Sequence, residues 1–477
     1  MKKFIRPRWI IFMVVLAAIA CAVNPVSGKK ELMLFSEKQE IAMGQETDQA
    51  IRQQYGIYDD KALNEYVDRI GQSMVPNSHR PNLKHHFAVL DTPVVNAFAA
   101  PGGFIYVTRG ILALMNSEAE LAAVLGHEMG HVAARHSVKR MSDQLLAQIG
   151  LVVGSIVSKD IRKFAGLASI GMQLLFLKFS RSDEYQADAL GIRYARQAKY
   201  SPGEMLRFFT ALENMSGETT SHKIPTFLST HPMTKDRIAK VKAMVSSEDV
   251  RLAVRNEPYL RKVDGMIYGE NPRQGFVENG VFYQPEMAFQ FAIPADWAVD
   301  NTPMQVVVGE KEGKAALLLQ AETTDQDLDQ YLQAKSAGFS QAKLLKTASD
   351  PVNRLASRHA YFQLPQEQGE PLAVRLSCIR KDRTVYTFIA MSMFATAGTY
   401  QPLLERAILS FQGLSDPRYL NRGPQRLSLF RPDGRRTFQK LLIDTGVDRK
   451  LWKQLSAFNS VKLEAVPGSG QLVKLVR

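Results

Sequence analysis

Over residues 37–55 and 60–75, apolar side chains recur every three or four places. Ile41, Met43, Ala50 and Ile51 mark the first stretch, and Leu63, Tyr66, Val67 and Ile70 the second. That period predicts two amphipathic helices. Pro76 and Pro81 bracket a loop, and residues 86–90 read as a strand. Residues 104–108 are β-branched and aromatic with glycines on both sides, which predicts another strand. Ser117-Glu118-Ala119-Glu120 has the S-x-x-E form of a capping box ahead of an apolar run, so a helix is expected from there to about Val138. Residues 147–179 are strongly apolar, but Lys159-Asp160-Ile161-Arg162-Lys163 divides them into halves too short to span a bilayer. A buried core helix is the first reading of that stretch and a membrane-touching hairpin the second. Further helices are expected over 182–197, after Ser201-Pro202, and from Thr230-His231-Pro232 to about Val245.

The pattern changes near residues 265–275. Residues 276–413 carry short alternating strands at 289–293, 315–320, 373–379 and 384–393, with two helical stretches. This predicts an α+β accessory domain. Residues 424–477 form a third small unit. A strand is expected at 427–430, a helix start at Thr437, a loop after Asn459 and a closing strand after Pro467-Gly468. The fold class is α+β: a mostly helical domain over 29–265 with a small sheet, the accessory domain, and the small C-terminal module.

The N-terminus stands apart from these units. Lys2, Lys3, Arg6 and Arg8 precede an apolar run over 9–20, with small residues at Ala18, Ala20 and Ala22. Residues 1–28 are therefore expected to be a secretory signal peptide, with an uncut membrane anchor as the other reading. Cys21 follows Ala18-Ile19-Ala20, which resembles a lipoprotein signal with Ala18 in place of the usual Leu. Lipidation at Cys21 and chance placement of one cysteine both remain open. The other cysteine is Cys378, so neither a disulfide framework nor a Cys-based zinc site is expected. The net charge is +13, and +9 without the four basic residues of the leader. A basic exported protein suits anionic headgroups or wall polymers, although a solvated basic surface needs no partner. No basic run interleaves with aromatics, so nucleic acid is not expected.

Chemistry enters at His127-Glu128-Met129-Gly130-His131, an H-E-x-x-H sequence on an expected helix. Residues four apart share one helix face, so both imidazoles can meet one metal ion, with Glu128 placed as general base. Gly126, Gly130 and nearby alanines allow close packing around the site. Catalytic zinc takes three protein ligands. Glu184 offers the third, and Asp188, one turn on, is placed to accept the free Nδ1–H of a ligand histidine. His136 lies five residues past His131, off the ligand face of a continuous helix, and is read as structural. Phe104, Ile105, Tyr106 and Val107 are expected to form an edge strand that pairs with extended substrate, or else an ordinary sheet strand.

Four ordered stretches carry a resemblance. They are 96–110 with Asn96-Ala97-Phe98-Ala99-Ala100-Pro101-Gly102-Gly103, 120–136 with the H-E-x-x-H, 180–191 with Glu184 and Asp188, and Thr230-His231-Pro232 with Arg237-Ile238. On these stretches the sequence resembles the M48 family of zinc metallopeptidases, and the resemblance covers about residues 30–265. The resemblance implies one Zn2+ per chain and an endopeptidase acting on misfolded or stalled envelope proteins. It points to His231 and Arg237 as oxyanion stabilisers. His231 is alternatively a fourth zinc ligand that holds the enzyme inactive, or a simple helix start. The implied location is the periplasm, with outer-membrane association through Cys21. Two other classes stand beside the protease: an envelope chaperone using the same fold, and a wall-anchored binding protein. The second of these rests on residues 424–477, which faintly resemble a LysM-like peptidoglycan-binding module; a plain structural cap is the other reading.

Overall fold

The computed structural model describes residues 21–152, 178–217, 226–366 and 369–477. The expected leader lies outside the described residues as far as residue 20, and the apolar stretch 147–179 does so over 153–177. Among the described residues, no helix is long and apolar enough to cross a membrane. The chain divides into two compact units, Met1–Gly269 with Gln425–Arg477, and Glu270–Pro424.

The first unit opens with a short hairpin, β1 (Cys21–Val23) and β2 (Lys30–Leu32). Helix α1 (Glu37–Tyr55) starts in a Ser36–Gln39 capping box, and α2 (Lys61–Met74) is capped by Asp60. Helix α2 buries Leu63, Tyr66, Val67 and Ile70, the positions that the three- and four-residue spacing marks. A three-stranded sheet follows in the order β3 (His86–Leu90), β5 (Phe104–Thr108), β4 (Ala97–Ala100). Strand β5 pairs parallel with β3 and antiparallel with β4. This corrects the expectation for Phe104, Ile105, Tyr106 and Val107. All four are buried in the central strand, and both of its backbone edges are paired, so no peptide can add there. The edge is β4.

Helix α3 (Arg109–Leu114) leads to α4 (Glu118–Ala133), whose first turn is capped by Ser117 Oγ accepting from Glu120 N at 3.1 Å. Every residue of α4 is buried. The helix stops at Ala133 rather than near Val138, because Arg135 turns the chain with φ 58° before α5 (His136–Val152) begins. Ion pairing holds this turn. Arg135 Nε donates to Glu40 Oε2 at 2.8 Å, and Arg80 Nη1 donates to Glu40 Oε1 at 2.8 Å and to Val132 O at 3.0 Å. Two guanidinium groups thus sit at the carbonyl end of α4, where the helix dipole favours cations.

Helix α6 (Arg181–Gln197) starts in a Ser180–Asp183 capping box and packs against α4 at backbone distance. A Cβ added to Gly130 would lie 3.0 Å from Ala187 Cα, and one added to Gly191 would lie 2.8 Å from His127 N. Only glycine permits that approach, which brings the imidazoles of α4 to the carboxylates of α6. Helices α7 (Glu204–Gly217), α8 (Thr226–Thr230) and α9 (Lys235–Met244) follow, α9 being capped by Thr234.

Residues 425–477 have the expected strand–helix–helix–strand order: Leu427–Phe430, Phe438–Asp444, Trp452–Asn459 and Val473–Val476. The two strands pair antiparallel. They do not form the separate module expected for this segment. Leu427, Phe438, Leu441, Leu455, Phe458 and Val473 join the same core as α2, β3, β5 and α4. Lys474 is 0 % exposed, and its Nζ donates to Ala113 O at 2.7 Å and Met115 O at 2.6 Å, carbonyls at and just past the end of α3, before the Ser117 cap. Burial pushes the Lys474 amine down to about 7 and the nearby Glu120 carboxyl up to about 7.

Lys474→Met strands those carbonyls and is expected to cost about 1–3 kcal/mol. The sign of its pH dependence follows from the depressed amine. From about 7 up to the ordinary 10.5, the unfolded chain holds the Lys474 proton and the folded chain does not. Stability owed to Lys474 therefore rises with pH in that window. Urea midpoints of wild type and Lys474→Met at pH 7 and pH 9 check this: the gap is expected to widen in favour of wild type.

The second unit is α+β. Its antiparallel seven-stranded sheet runs Lys343–Ala348, Ser357–Leu364, Leu372–Lys381, Thr384–Met393, Ala315–Thr323, Val306–Gly309, Ala298–Asn301. Helices Leu328–Ser336 and Ala397–Leu409 accompany it, and Cys378 is a buried free thiol.

Candidate metal centre and active site

Four side chains converge inside the first unit. His127 and His131 come from α4, Glu184 from α6, and His231 from the turn after α8; one ligand atom from each lies within 4.8 Å of all the others. His127 Nε2 and His131 Nε2 are 3.1 Å apart. His231 Nδ1 is 3.2 Å from His127 Nε2 and 3.0 Å from Glu184 Oε1, and Glu184 Oε1 is 3.5 Å from His131 Nε2. Two ligands on a tetrahedral zinc, each about 2.0–2.1 Å from it, stand about 3.3 Å apart. The donor set is nitrogen and carboxylate oxygen, a zinc set. Orphaned polar atoms point the same way. Both oxygens of Glu128 and Nε2 of His231 are buried without a hydrogen-bond partner among the described residues. The residues present fit a zinc ion.

Surrounding groups fix these ligands. His127 Nδ1 donates to Asp188 Oδ1 at 2.9 Å, which leaves Nε2 free for a metal. Arg237 grips the acids from behind: its Nε is 2.5 Å from Asp188 Oδ2, its Nη2 2.8 Å from Asp188 Oδ1, and its Nη1 2.6 Å from Glu184 Oε2. Arg237 is 1 % exposed, and its guanidinium is engaged on two carboxylates. That differs from the oxyanion role expected of Arg237, because its donors already hold the zinc-side acids. On the other side, His136 Nδ1 lies 2.9 Å from His131 Nδ1, and His136 Nε2 lies 2.9 Å from Gln186 Oε1. The break at Arg135 explains why. A continuous helix would carry His136 off the ligand face, and the turn brings it back.

Electrostatics follow from burial and charge. Burial raises the Glu128 carboxyl, against the pull of His231 and His127. Burial alone would also raise Glu184, but His231 and Arg237 outweigh it and hold that carboxyl well below its ordinary range. Asp188 is treated likewise: burial is outweighed by hydrogen bonds from Arg237 and His127. Burial drives His131 well below its ordinary value, so its ring is neutral, as a ligand must be.

The site is closed. His231 is 1 % exposed, its ring stacked on Phe227 at 4.7 Å, and Phe179 stacks on His131 at 4.0 Å. His231 Nε2 faces Glu128 Oε1 at 3.7 Å. The cavity beside them, lined by Phe179, Glu184, Tyr185, Pro232 and Arg237 among others, holds about 10 Å³, room for about one water. The segment bearing His231 is also tied to the sheet, because Phe227 N donates to Val95 O at 3.1 Å. Thr108 N donates to Asn96 O at 3.1 Å, so by antiparallel alternation Val95, Ala97 and Ala99 turn their backbone groups to the side of β4 away from β5, where Ala97 is buried and Val95 is held by Phe227.

Sequence reasoning brought His127, Glu128, His131, Glu184, Asp188, His231 and Arg237 to the site, and all seven meet there. It missed Phe179, which lies between segments without a motif, and the roles of His136 and of β4.

An H-E-x-x-H helix crossed by a glutamate-bearing helix, with a base carboxylate left unpartnered, defines a zinc metallopeptidase. Residues 61–245 match the model of Peptidase family M48. The chain is 26% identical to the beta-barrel assembly-enhancing protease of Escherichia coli (strain K12) over 400 residues, 77% of this chain and 80% of that protein. The protein of the same name from Yersinia pestis is 26% identical over 68% of this chain and 70% of its own length. The mitochondrial metalloendopeptidase OMA1 of Schizosaccharomyces pombe is 30% identical over 48% of this chain and 67% of its own length. The chain belongs to the M48 family and is a zinc metalloendopeptidase.

Proposed function

We propose that this enzyme cleaves unfolded or misassembled outer-membrane β-barrel proteins in the bacterial envelope, and that it rests with His231 closing its zinc site. One observation carries the resting state: His231 Nδ1 stands 3.2 Å and 3.0 Å from donor atoms of His127 and Glu184, where a fourth ligand belongs. The substrate class is supported by the names of the relatives. Once the closed segment leaves, the backbone groups of Ala97 and Ala99 on the side of β4 away from β5, buried and half-buried here, suit an extended chain with little side-chain selectivity, which an unassembled barrel strand offers.

When bound, zinc lowers the pKa of water toward neutrality and polarises the scissile carbonyl. His127, His131 and Glu184 hold it, and Asp188, Arg237 and His136 hold them. Glu128 takes the proton of the attacking water and passes it to the leaving amine. For this, His231 must leave, which also frees Glu128 from the imidazole facing it. An extended substrate running past Ala97 toward Val95 meets Phe227 on the same edge, so substrate and closed segment compete there.

Export by the leader, a periplasmic site, a lipid anchor at Cys21 and zinc at one per chain belong to the same reading. A chaperone role coexists with it but does not need the intact base and ligand set. Peptidoglycan binding by 424–477 draws less support, since apolar side chains of that segment lie in the protease core. The test is cleavage of one outer-membrane barrel protein, urea-unfolded or folded in detergent. Chelator-sensitive cleavage of the unfolded form alone is expected. Equal cleavage of both forms would end the substrate reading.

A further inference from the structure

The two histidines of the motif are supported differently. Behind His127 stands a carboxylate, Asp188, itself held by Arg237. Behind His131 stand two side chains, His136 and then Gln186, with Asp183 Oδ1 3.7 Å from His136 Nε2. His136 is buried against His131. To bind a metal through Nε2, His131 must carry its proton on Nδ1. That proton has one partner, His136 Nδ1 at 2.9 Å, which must then be an acceptor. A neutral ring that accepts at Nδ1 carries its proton on Nε2. That N–H points to Gln186 Oε1 at 2.9 Å. With Gln186 Oε1 turned to His136, every group in the chain is satisfied in one proton order. With the Gln186 amide reversed, His136 would hold its proton on Nδ1, His131 would accept there, and His131 Nε2 would be protonated and closed to metal.

We propose that His136 and Gln186 are positioning residues that set the tautomer of His131, Gln186 fixing the direction of the relay through the oxygen it presents. This rests on zinc binding by His127, His131 and Glu184. Because its partner is neutral, His131 receives less electron density than His127, and the pair binds zinc asymmetrically.

The experiment uses the full chain and reads zinc affinity by chelator competition. Wild type is measured first; failure to bind zinc overturns the zinc reading itself, before any variant is made. His136→Phe keeps ring volume and removes the acceptor. It is expected to weaken zinc about ten- to hundredfold. His136→Asn, whose Oδ1 can take the place of Nδ1, is expected to recover most of that loss. Gln186→Glu keeps the acceptor and is expected to hold wild-type affinity, whereas Gln186→Met loses several-fold. Gln186 is half-buried, so these two variants read the relay even where His136→Phe fails to fold. Nitrogen-15 spectra of the zinc-loaded wild type give a second readout. His136 protonated on Nε2 and His131 on Nδ1 is the expected pattern. His136 protonated on Nδ1, or wild-type zinc affinity in both His136→Phe and Gln186→Met, would overturn the proposal while leaving the zinc site standing.

Discussion

Glu128→Gln is expected to slow peptide hydrolysis by about two to four orders of magnitude and to leave zinc bound. Glu128 is 0 % exposed, and neither of its carboxylate oxygens has a hydrogen-bond partner among the described residues. A buried, unpartnered carboxylate is costly, and folds keep one where a reaction uses it. Burial raises its pKa, which brings it nearer the basicity a proton acceptor needs at neutral pH. Glutamine matches glutamate in size, so α4 keeps its packing against α6. Glu128 is outside the ligand set, so its loss spares the metal. Initial rates on an unfolded substrate, with zinc content of the same samples, check both halves. Loss of zinc would make Glu128 a structural support; an unchanged rate would remove it as the base.

His231→Ala carries the second large effect, and in the opposite direction. Removing the imidazole takes away the donor 3.2 Å from His127 Nε2 and the group 3.7 Å from Glu128 Oε1. Cleavage is expected to rise about tenfold or more, the gain produced by a closed-state preference of about 1.4 kcal/mol. Zinc stays, held by His127, His131 and Glu184. The two roles implied for His231 separate here, because an oxyanion stabiliser would lower the rate on removal. A fall comparable to that of Glu128→Gln would return His231 to the reaction itself and end the closed-site reading.

The legible part of the site was the part built on helix period. Spacing of four on α4 and again on α6 set His127 with His131, and Glu184 with Asp188, because one turn separates each pair. Glycines at 126 and 130 announced the close packing of α4, and the structure adds Gly191 on α6 at the crossing. Helices α1 and α2 were legible for the same reason. What the chain pattern hid depended on breaks and partners. Arg135 at φ 58° has no local signature; its turn is held by Glu40, 95 residues away, and only that turn returns His136 to His131. Strand β5 looks like an edge or a centre equally well in sequence, since its pairing is decided by β3 and β4. Residues 425–477 showed the right order of elements, but which surface their apolar faces cover was set by a core built from residues 58–268.

The most direct measurement is zinc K-edge X-ray absorption on the purified chain and on His231→Ala. Three imidazole nitrogens and one carboxylate oxygen are expected around zinc at rest, with one imidazole fewer in the variant. Zinc with two imidazoles in both proteins would contradict closure by His231. A chain that holds no zinc would contradict the assignment of His127, His131 and Glu184 as its ligands.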